Sequence, residues 1–487
     1  MYKDEKLRER AKQVGVHELF NYDGLIATDS GAFQQYMYKE DLTIEPKEIE
    51  RFQEEIGSDF PVILDIPVQL DDPYDVAKEK VLKNIERAKK NVKRRKRDQS
   101  KWIGPIHGSI YKDLLETSTL EMSKLDFGIY AIGGLVKTFI DYRFDLAVDV
   151  FINVKKRVAP NKPLHMFGLG LPQFFSLAVA CGCDLMDSAA YILYARDERY
   201  FTLSTGTKKL SDLVEFPCHC PVCSNFTPKE LNLFDKKLKT ELIAKHNLHI
   251  SYSELRTIRE AIRDGALWEL VETRARSHPN LIKALKLLLN ESQYIEKYER
   301  RYNKRGLFFI SSDTLNRPII KRQLRDIKDK YIVPTSVKYA VILPELDAKR
   351  ENSPSVNKWL NAINDFKEIK REFIHVLFMT ELFGIVSLEL IDSYPFGQNE
   401  SIAFQNSTDE IYTKTLNASI EFIKKYKQFY EKCGLLIPKD YLNEFNEKTD
   451  FLIHPINKLQ TRLKTYFKDN LIVSDSLQTI LNFFLNN

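Results

Sequence analysis

The chain reads as an α/β protein built on a parallel sheet, and three observations predict it. Short apolar runs alternate with amphipathic stretches six times between Gly24 and Asp187. Each run ends on polar, acidic or glycine-rich residues: Asp29-Ser30-Gly31, Asp65, His107-Gly108, Gly133-Gly134, Gly168-Leu169-Gly170 and Asp187. No run comes near the roughly 18 consecutive apolar residues of a membrane span. Strand–helix alternation of this kind sets strands side by side in parallel under a cover of helices.

The elements follow in order. Leu7 to Phe20 is a helix and Gly24 to Thr28 a strand; a helical region including Ile49 to Ile56 leads to a strand over Pro61 to Leu64. A basic helix over about 78–97 precedes a strand at Trp102 to Ile106, and a helix over Leu114 to Ser123 precedes one at Phe127 to Ile132. Asp141 to Arg157 is helical, Leu164 to Phe167 extended, Gln173 to Cys181 helical, and Asp184 to Met186 is the last strand. The functional face of a (β/α)8 barrel lies at the C-terminal strand ends. Six units stand where a barrel needs eight, so an N-terminally incomplete TIM-like barrel is expected over residues 1–305. A metal-binding subdomain is expected at about 215–250, after the sheet. Beyond Gly306, strands (YAVILPEL, Ile374 to Met379, Ile385 to Leu390) mix with long helices (Ile411 to Cys433, Lys458 to Leu485), predicting an α+β domain over 306–487.

With 29% charged and 43% hydrophobic residues the chain is a folded soluble protein. Its charged start, MYKDEKLRERAKQ, is expected not to be a secretory signal. The net charge of +5 is concentrated in Lys78 to Arg97, which suits either a polyanion partner or a solvated helix face. Three of the six cysteines fall in Cys218-His219-Cys220-Pro221-Val222-Cys223, with His246 and His249 downstream. Three thiolates and one imidazole at this spacing suit a closed tetrahedral zinc site in a reducing compartment. His246, nearer the cysteines, is preferred over His249, and His219 is expected to point outward.

Asp29, Asp65 and Asp187 each end a strand on the same face. Two carboxylates on one pocket is the arrangement of glycosidic chemistry, one attacking the anomeric carbon and the other handling the leaving-group proton. Phe33 and Tyr191 offer surfaces on which a planar base stacks, and Gly133-Gly134 permits close approach of a ligand to the backbone. His107 reads equally as a functional group or a hydrogen-bonded strand-end residue. Cys181 and Cys183 read as core, and His165 as uninformative. Arg196 and Arg199 are weak candidates for phosphate contact.

These residues sit in a series of segments that resembles the tRNA-guanine transglycosylases, and most closely their archaeal type. The segments are TDSGAFQ (28–34), LDIP (64–67), HGSIYKDL (107–114), YAIGGLV (130–136), HMFGLGLP (165–172), DLMDSAAYILYARDERYFT (184–202), CHCPVC (218–223), HNLH (246–249) and DGALWELVETRARSHP (264–279). The resemblance implies a TIM-like barrel in which Asp187 is the nucleophile and Asp29 the general acid and base, working through a covalent RNA–enzyme intermediate. It further implies that Phe33 stacks on the base and that Ser30 and Asp65 bind its edge. His107 falls among the base-reading positions, and Gly133, Gly134 and Leu135 line the pocket. Cys218, Cys220, Cys223 and His246 become ligands of one structural Zn2+ per chain. The implied partners are tRNA, guanine and 7-cyano-7-deazaguanine, exchanged at position 15 of the D-loop in the first step of archaeosine synthesis, with the target base drawn from its stack. A cytoplasmic homodimer follows by the same route.

The chain departs from this pattern in three places. About two strand units that precede Leu7 in the family have no counterpart here, His107 stands where the family has glutamine, and no PUA module closes the chain, so a separate PUA chain is an expected partner. Two rivals follow. A catalytically silent tRNA-binding subunit suits the short N-terminus but not the intact Asp29 and Asp187. An archaeosine synthase-like paralogue would have lost these acids and would carry a cysteine–lysine motif, whereas Cys433 sits in EKCGLL.

Overall fold

A computed structural model of the chain describes residues 1–32, 45–95, 100–203, 206–344, 354–380, 382–401, 409–437 and 449–486. The chain forms two compact units, Met1–Leu288 and Leu289–Asn487.

In the first unit, α1 (Glu5–Phe20) leads to β1 (Ala27–Thr28), α2 (Pro46–Glu55) and β2 (Phe60–Pro61). Then come α3 (Tyr74–Arg94), β3 (Ile103–Ile106), α4 (Lys112–Ser123), β4 (Ile129–Ile132), α5 (Val136–Ile140), α6 (Phe144–Lys155), β5 (Leu164–Met166), α7 (Pro172–Cys181) and β6 (Leu185–Met186). β1 pairs with β2, and β3 through β6 pair each with the next, all parallel. A parallel bridge from Val62 to Ile103 joins the two sets, so six strands run in chain order. These are the six strands read from the sequence. Among the described residues β1 and β6 do not pair with each other.

Side chains compensate for the shortness of β1 and β2. Gln53, buried on α2, donates from Nε2 to the Val62 carbonyl at 2.8 Å. Its Oε1 accepts from the Val62 N–H at 3.1 Å and the Thr28 hydroxyl at 2.7 Å. Buried Asn84 on α3 likewise brackets the Ile66 backbone, accepting its N–H at 2.7 Å and donating to its carbonyl at 2.9 Å. Burial of such amides is tolerated because each is hydrogen-bonded. Farther along, Phe144 of α6 stacks on Phe174 of α7 at 5.1 Å, both fully buried. The basic face of α3 is largely paired: Lys83 with Glu79, Lys90 with Glu86, Lys89 with Glu121 and Arg94 with Glu50. That pairing favours the solvated-face reading of the charge run.

After β6 come α8 (Ala190–Arg196), the antiparallel hairpin β7 (Arg199–Thr202) and β8 (Gly206–Lys209), α9 (Pro228–Leu233) and the 29-residue α10 (Lys236–Asp264). Asn247 ties three of them together: Oδ1 accepts the Phe201 N–H at 2.8 Å, and Nδ2 donates to the carbonyls of Tyr191 and Arg199 at 3.1 Å. α11 (Leu267–Ala275) locks to α10 through a two-pronged Arg274–Glu254 pair in which Glu254 is fully buried. α12 (Pro279–Asn290) follows.

The second unit contains α13 (Ser292–Ile295), β9 (Leu307–Phe309), α14 (Pro318–Lys330), β10 (Tyr339–Pro344), α15 (Pro354–Asp365), β11 (Ile374–Thr380), β12 (Gly384–Ser387) and β13 (Asn399–Ser401). It ends with α16 (Asp409–Tyr426), β14 (Lys432–Leu436), α17 (Thr449–Phe467), β15 (Leu471–Ser474) and α18 (Leu477–Leu485). Its sheet has the order β12-β11-β10-β14-β15, parallel throughout except for β12 at one edge. The expected α+β class is therefore corrected to α/β. Two short strands, KCGLL and LIVS, stand at the end of the helix expected over 411–433 and inside the one expected over 458–485. The divide also falls before the expected 305/306. Buried Arg322 of α14 donates to the carbonyls of Glu296, Glu299 and Arg300, and Arg325 pairs with Glu296, so residues 292–300 are tied to this unit.

Candidate active site

Parallel pairing brings the six strand ends to one face, where they open on a cavity of about 610 Å³. Asp29, Asp65, His107, Gly133, Gly134 and Asp187 all line it. So do Phe167, Gly168 and His165, the last of which carries no signal in the sequence. Ser30 and Leu135 are buried behind the wall, 3% and 1% exposed, and are not among the lining residues. Phe33 lies outside the described residues. Tyr191 packs instead on the apolar cluster around Ala195 and Leu231.

The acids have unlike surroundings. Asp29 presents surface to the cavity, but the walls around its carboxyl remove most of its contact with bulk water. Desolvation by those walls, then the charges of Asp65 and Asp187, push its pKa up to about 6 against the pull of the Ser30 and Gly31 N–H groups. Asp187 follows β6 and is half exposed to the cavity. Its Oδ1 accepts from His165 Nε2 at 2.9 Å and from the Gly168 N–H at 3.2 Å. Asp65 is buried and bonded through Oδ2 to His107 Nε2 at 2.7 Å.

His107 is 1% exposed, and the glycines of the next strand end make room for it. A Cβ at Gly133 would come within 2.3 Å of its Cε1. One at Gly134, whose φ is +81°, would meet the Val68 carbonyl at 2.1 Å. The His107 Nδ1 accepts the Val68 N–H at 3.5 Å, which assigns the Nε2 proton to the bond with Asp65. Both nitrogens are thus used within the protein, and His107 bears on a ligand through Asp65.

Cys218, Cys220, Cys223 and His246 bring four donor atoms within 4.8 Å of one another and could hold a metal ion. Cys220 and Cys223 Sγ lie 3.6 Å apart, each 3.4 Å from His246 Nδ1. Those separations match the edges of a tetrahedron with bonds of about 2.3 Å to sulfur and about 2.0 Å to nitrogen. The His246 Nε2 donates to the Phe201 carbonyl at 2.9 Å, which turns Nδ1 toward the thiols. Burial holds its pKa down at about 4, so the imidazole is neutral. Tyr200 stacks on it at 3.6 Å and reaches Cys223 Sγ with its hydroxyl at 3.2 Å. His249 and His219 are exposed, which decides between the two downstream histidines. Arg196 is exposed at the end of α8, and Arg199 donates to the Thr207 hydroxyl at 3.1 Å.

Residues 1–280 match the family model described as queuine tRNA-ribosyltransferase. The chain is 38% identical over 453 residues to the tRNA-guanine(15) transglycosylase of Methanocaldococcus jannaschii, covering 91% of this chain and 66% of that protein. It is 40% identical over 434 residues to the protein of the same name from Methanococcus aeolicus, covering 87% and 62%. With that of Methanobrevibacter smithii the figures are 37% over 476 residues, covering 97% and 69%. The chain thus spans a little under two thirds of the length of some of these curated relatives and about two thirds of others. No described helix is long and apolar enough to cross a membrane. The match to the family model covers more than half of the chain, and the chain belongs to the queuine tRNA-ribosyltransferase family.

Proposed function

We propose that this protein exchanges a base in tRNA, replacing guanine at position 15 with 7-cyano-7-deazaguanine. The observation that carries the reading is the pairing of unlike acids on one cavity: Asp187, half exposed beyond β6, and Asp29, with its pKa raised to about 6. The names of its relatives supply the substrate and the position. The six parallel strands support a TIM-like barrel as the scaffold.

The first displacement begins with the target nucleotide turned out of its stack into the cavity. Asp187 attacks C1′ of the ribose; the bond from C1′ to the guanine nitrogen breaks, and Asp29 gives its proton to the departing base. A carboxyl with a pKa near 6 is protonated in about a tenth of molecules at pH 7, enough to serve as an acid and later as a base. The incoming base then yields a proton to Asp29, attacks C1′ and displaces Asp187. Two inversions retain the configuration of the sugar. Asp65, oriented by His107, accepts from the edge of the base, and Gly133 and Gly134 let the base lie close to the backbone. Ser30, Leu135 and Phe33 complete the base site, and Arg196 and Arg199 contact RNA phosphate. Cys218, Cys220, Cys223 and His246 hold a structural Zn2+, far more at home on thiolates than Mg2+ or Ca2+ would be. A cytoplasmic homodimer and a separate PUA chain belong to the same reading.

The test is incorporation of labelled guanine into unmodified tRNA. Wild-type incorporation, lost in Asp187→Asn, is the expected result. Binding of tRNA without exchange by the wild type would move the silent-subunit reading to first place.

A further inference from the structure

We propose that His165 is a positioning residue that, with the Gly168 N–H, reserves one oxygen of Asp187 for hydrogen bonding and leaves the other to react; this rests on the exchange reading above. Both donors converge on Oδ1, at 2.9 Å from His165 Nε2 and 3.2 Å from the Gly168 nitrogen. A carboxylate that can rotate offers either oxygen, whereas one held by two donors at one oxygen has a fixed plane and a defined nucleophilic atom, Oδ2.

The imidazole is itself held. His165 is 8% exposed, its ring meets Phe167 edge to face at 4.7 Å, and its backbone lies in β5 beside the Leu185 of β6. Its Nδ1 is buried with no hydrogen-bond partner among the described residues. A proton there would be a buried unsatisfied donor, so the tautomer that fits carries its proton on Nε2, facing Asp187. His165 exchanges no proton with the substrate.

The two donors act in both displacements. In the first, Oδ2 bonds to C1′ as the bond from C1′ to the guanine breaks, and the leaving base takes its proton from Asp29. Oδ1 becomes the carbonyl oxygen of the resulting ester and keeps the same two donors. In the second, the bond from C1′ to Oδ2 breaks and the negative charge returns to the carboxylate, where His165 Nε2–H and Gly168 N–H receive it at Oδ1. They therefore stabilise Asp187 as a leaving group, as preorganised donors stabilise an oxyanion.

The experiment compares wild type, His165→Ala and His165→Gln in guanine exchange, measuring kcat, KM for tRNA and the fraction of enzyme trapped as an RNA adduct on denaturing gels. Expected for His165→Ala is a kcat about 10–100-fold lower with KM for tRNA little changed and a larger trapped fraction. His165→Gln, whose amide can still donate to Oδ1, is expected to recover most of the loss. An unchanged kcat in the alanine variant, or a glutamine variant as slow as alanine when both melt like wild type, overturns the proposal. Nitrogen-15 spectra of the histidine rings test the pairing without turnover. His165 should hold its proton on Nε2 and shift in Asp187→Ala; a proton on Nδ1 overturns the assignment even if wild type exchanges no base. Absence of wild-type exchange with the Nε2 signature intact counts against the exchange reading instead.

Discussion

His107 gives its Nε2 proton to Asp65 Oδ2 at 2.7 Å, and its Nδ1 takes the Val68 N–H at 3.5 Å. The imidazole therefore sets the direction of a neighbouring carboxylate. Removing it leaves a buried acid without its partner. His107→Ala is expected to raise KM for the incoming base about 10–100-fold while KM for tRNA holds. Exchange kinetics at varied base and fixed tRNA check this; an unchanged base KM would separate His107 from base binding.

The raised pKa of Asp29 predicts opposite pH responses in the two displacements. In the proposed exchange, release of guanine needs the protonated acid, so single-turnover adduct formation should fall as pH rises through about 6. Capture of the incoming base needs the carboxylate, so breakdown of the isolated adduct should rise through the same region. The stability sign follows from proton binding. Between the ordinary carboxyl value of 3.8 and about 6 the folded protein binds more protons here than the unfolded chain, so Asp29 lowers stability as pH climbs through that window. Asp29→Asn should remove that pH response from the melting temperature and abolish both kinetic limbs.

The six strand ends were legible because period and punctuation agree there: each apolar run stops at an acid, a histidine or a glycine pair. The second unit was less legible. KCGLL and LIVS are short, apolar and bounded by helices, so periodicity does not separate them from buried helical turns. His165 was missed because a lone histidine in a strand carries no local signal; its partner is 22 residues away and reaches it only through the parallel register of β5 and β6. The cluster of Cys218, Cys220, Cys223 and His246, which could hold a metal ion, was readable from spacing. The choice between His246 and His249 rests on burial, which the sequence could support only by proximity.

Arg322 predicts a stability effect confined to the second unit. It is 6% exposed and donates to the carbonyls of Glu296, Glu299 and Arg300, which follow α13, so its removal takes a hydrogen bond from each. Arg322→Ala is expected to cost about 2–3 kcal/mol in that unit. Urea unfolding followed by proteolysis near residue 300 measures it; a cost below 0.5 kcal/mol would refute the tie.

Removal of a metal held by the cluster should reach Asp187, the proposed nucleophile, through covalent and hydrogen-bonded connections. His246 of the cluster bonds the Phe201 carbonyl, and Asn247 next to it holds the Phe201 N–H together with the carbonyls of Tyr191 and Arg199. Tyr191 lies on α8, which begins three residues after Asp187. A chelator, or Cys220→Ser, removes the anchor of α10 and so loosens the segment that carries Asp187. Because structural zinc contributes directly to folding, the melting temperature should fall by several degrees or more. Hydrogen exchange should quicken in β7 and α8 before it does in β3 and β4, which have no bond to the cluster. Uniform quickening across the first unit would mean that the metal stabilises the whole unit, and unchanged protection at α8 would sever the cluster from the active site.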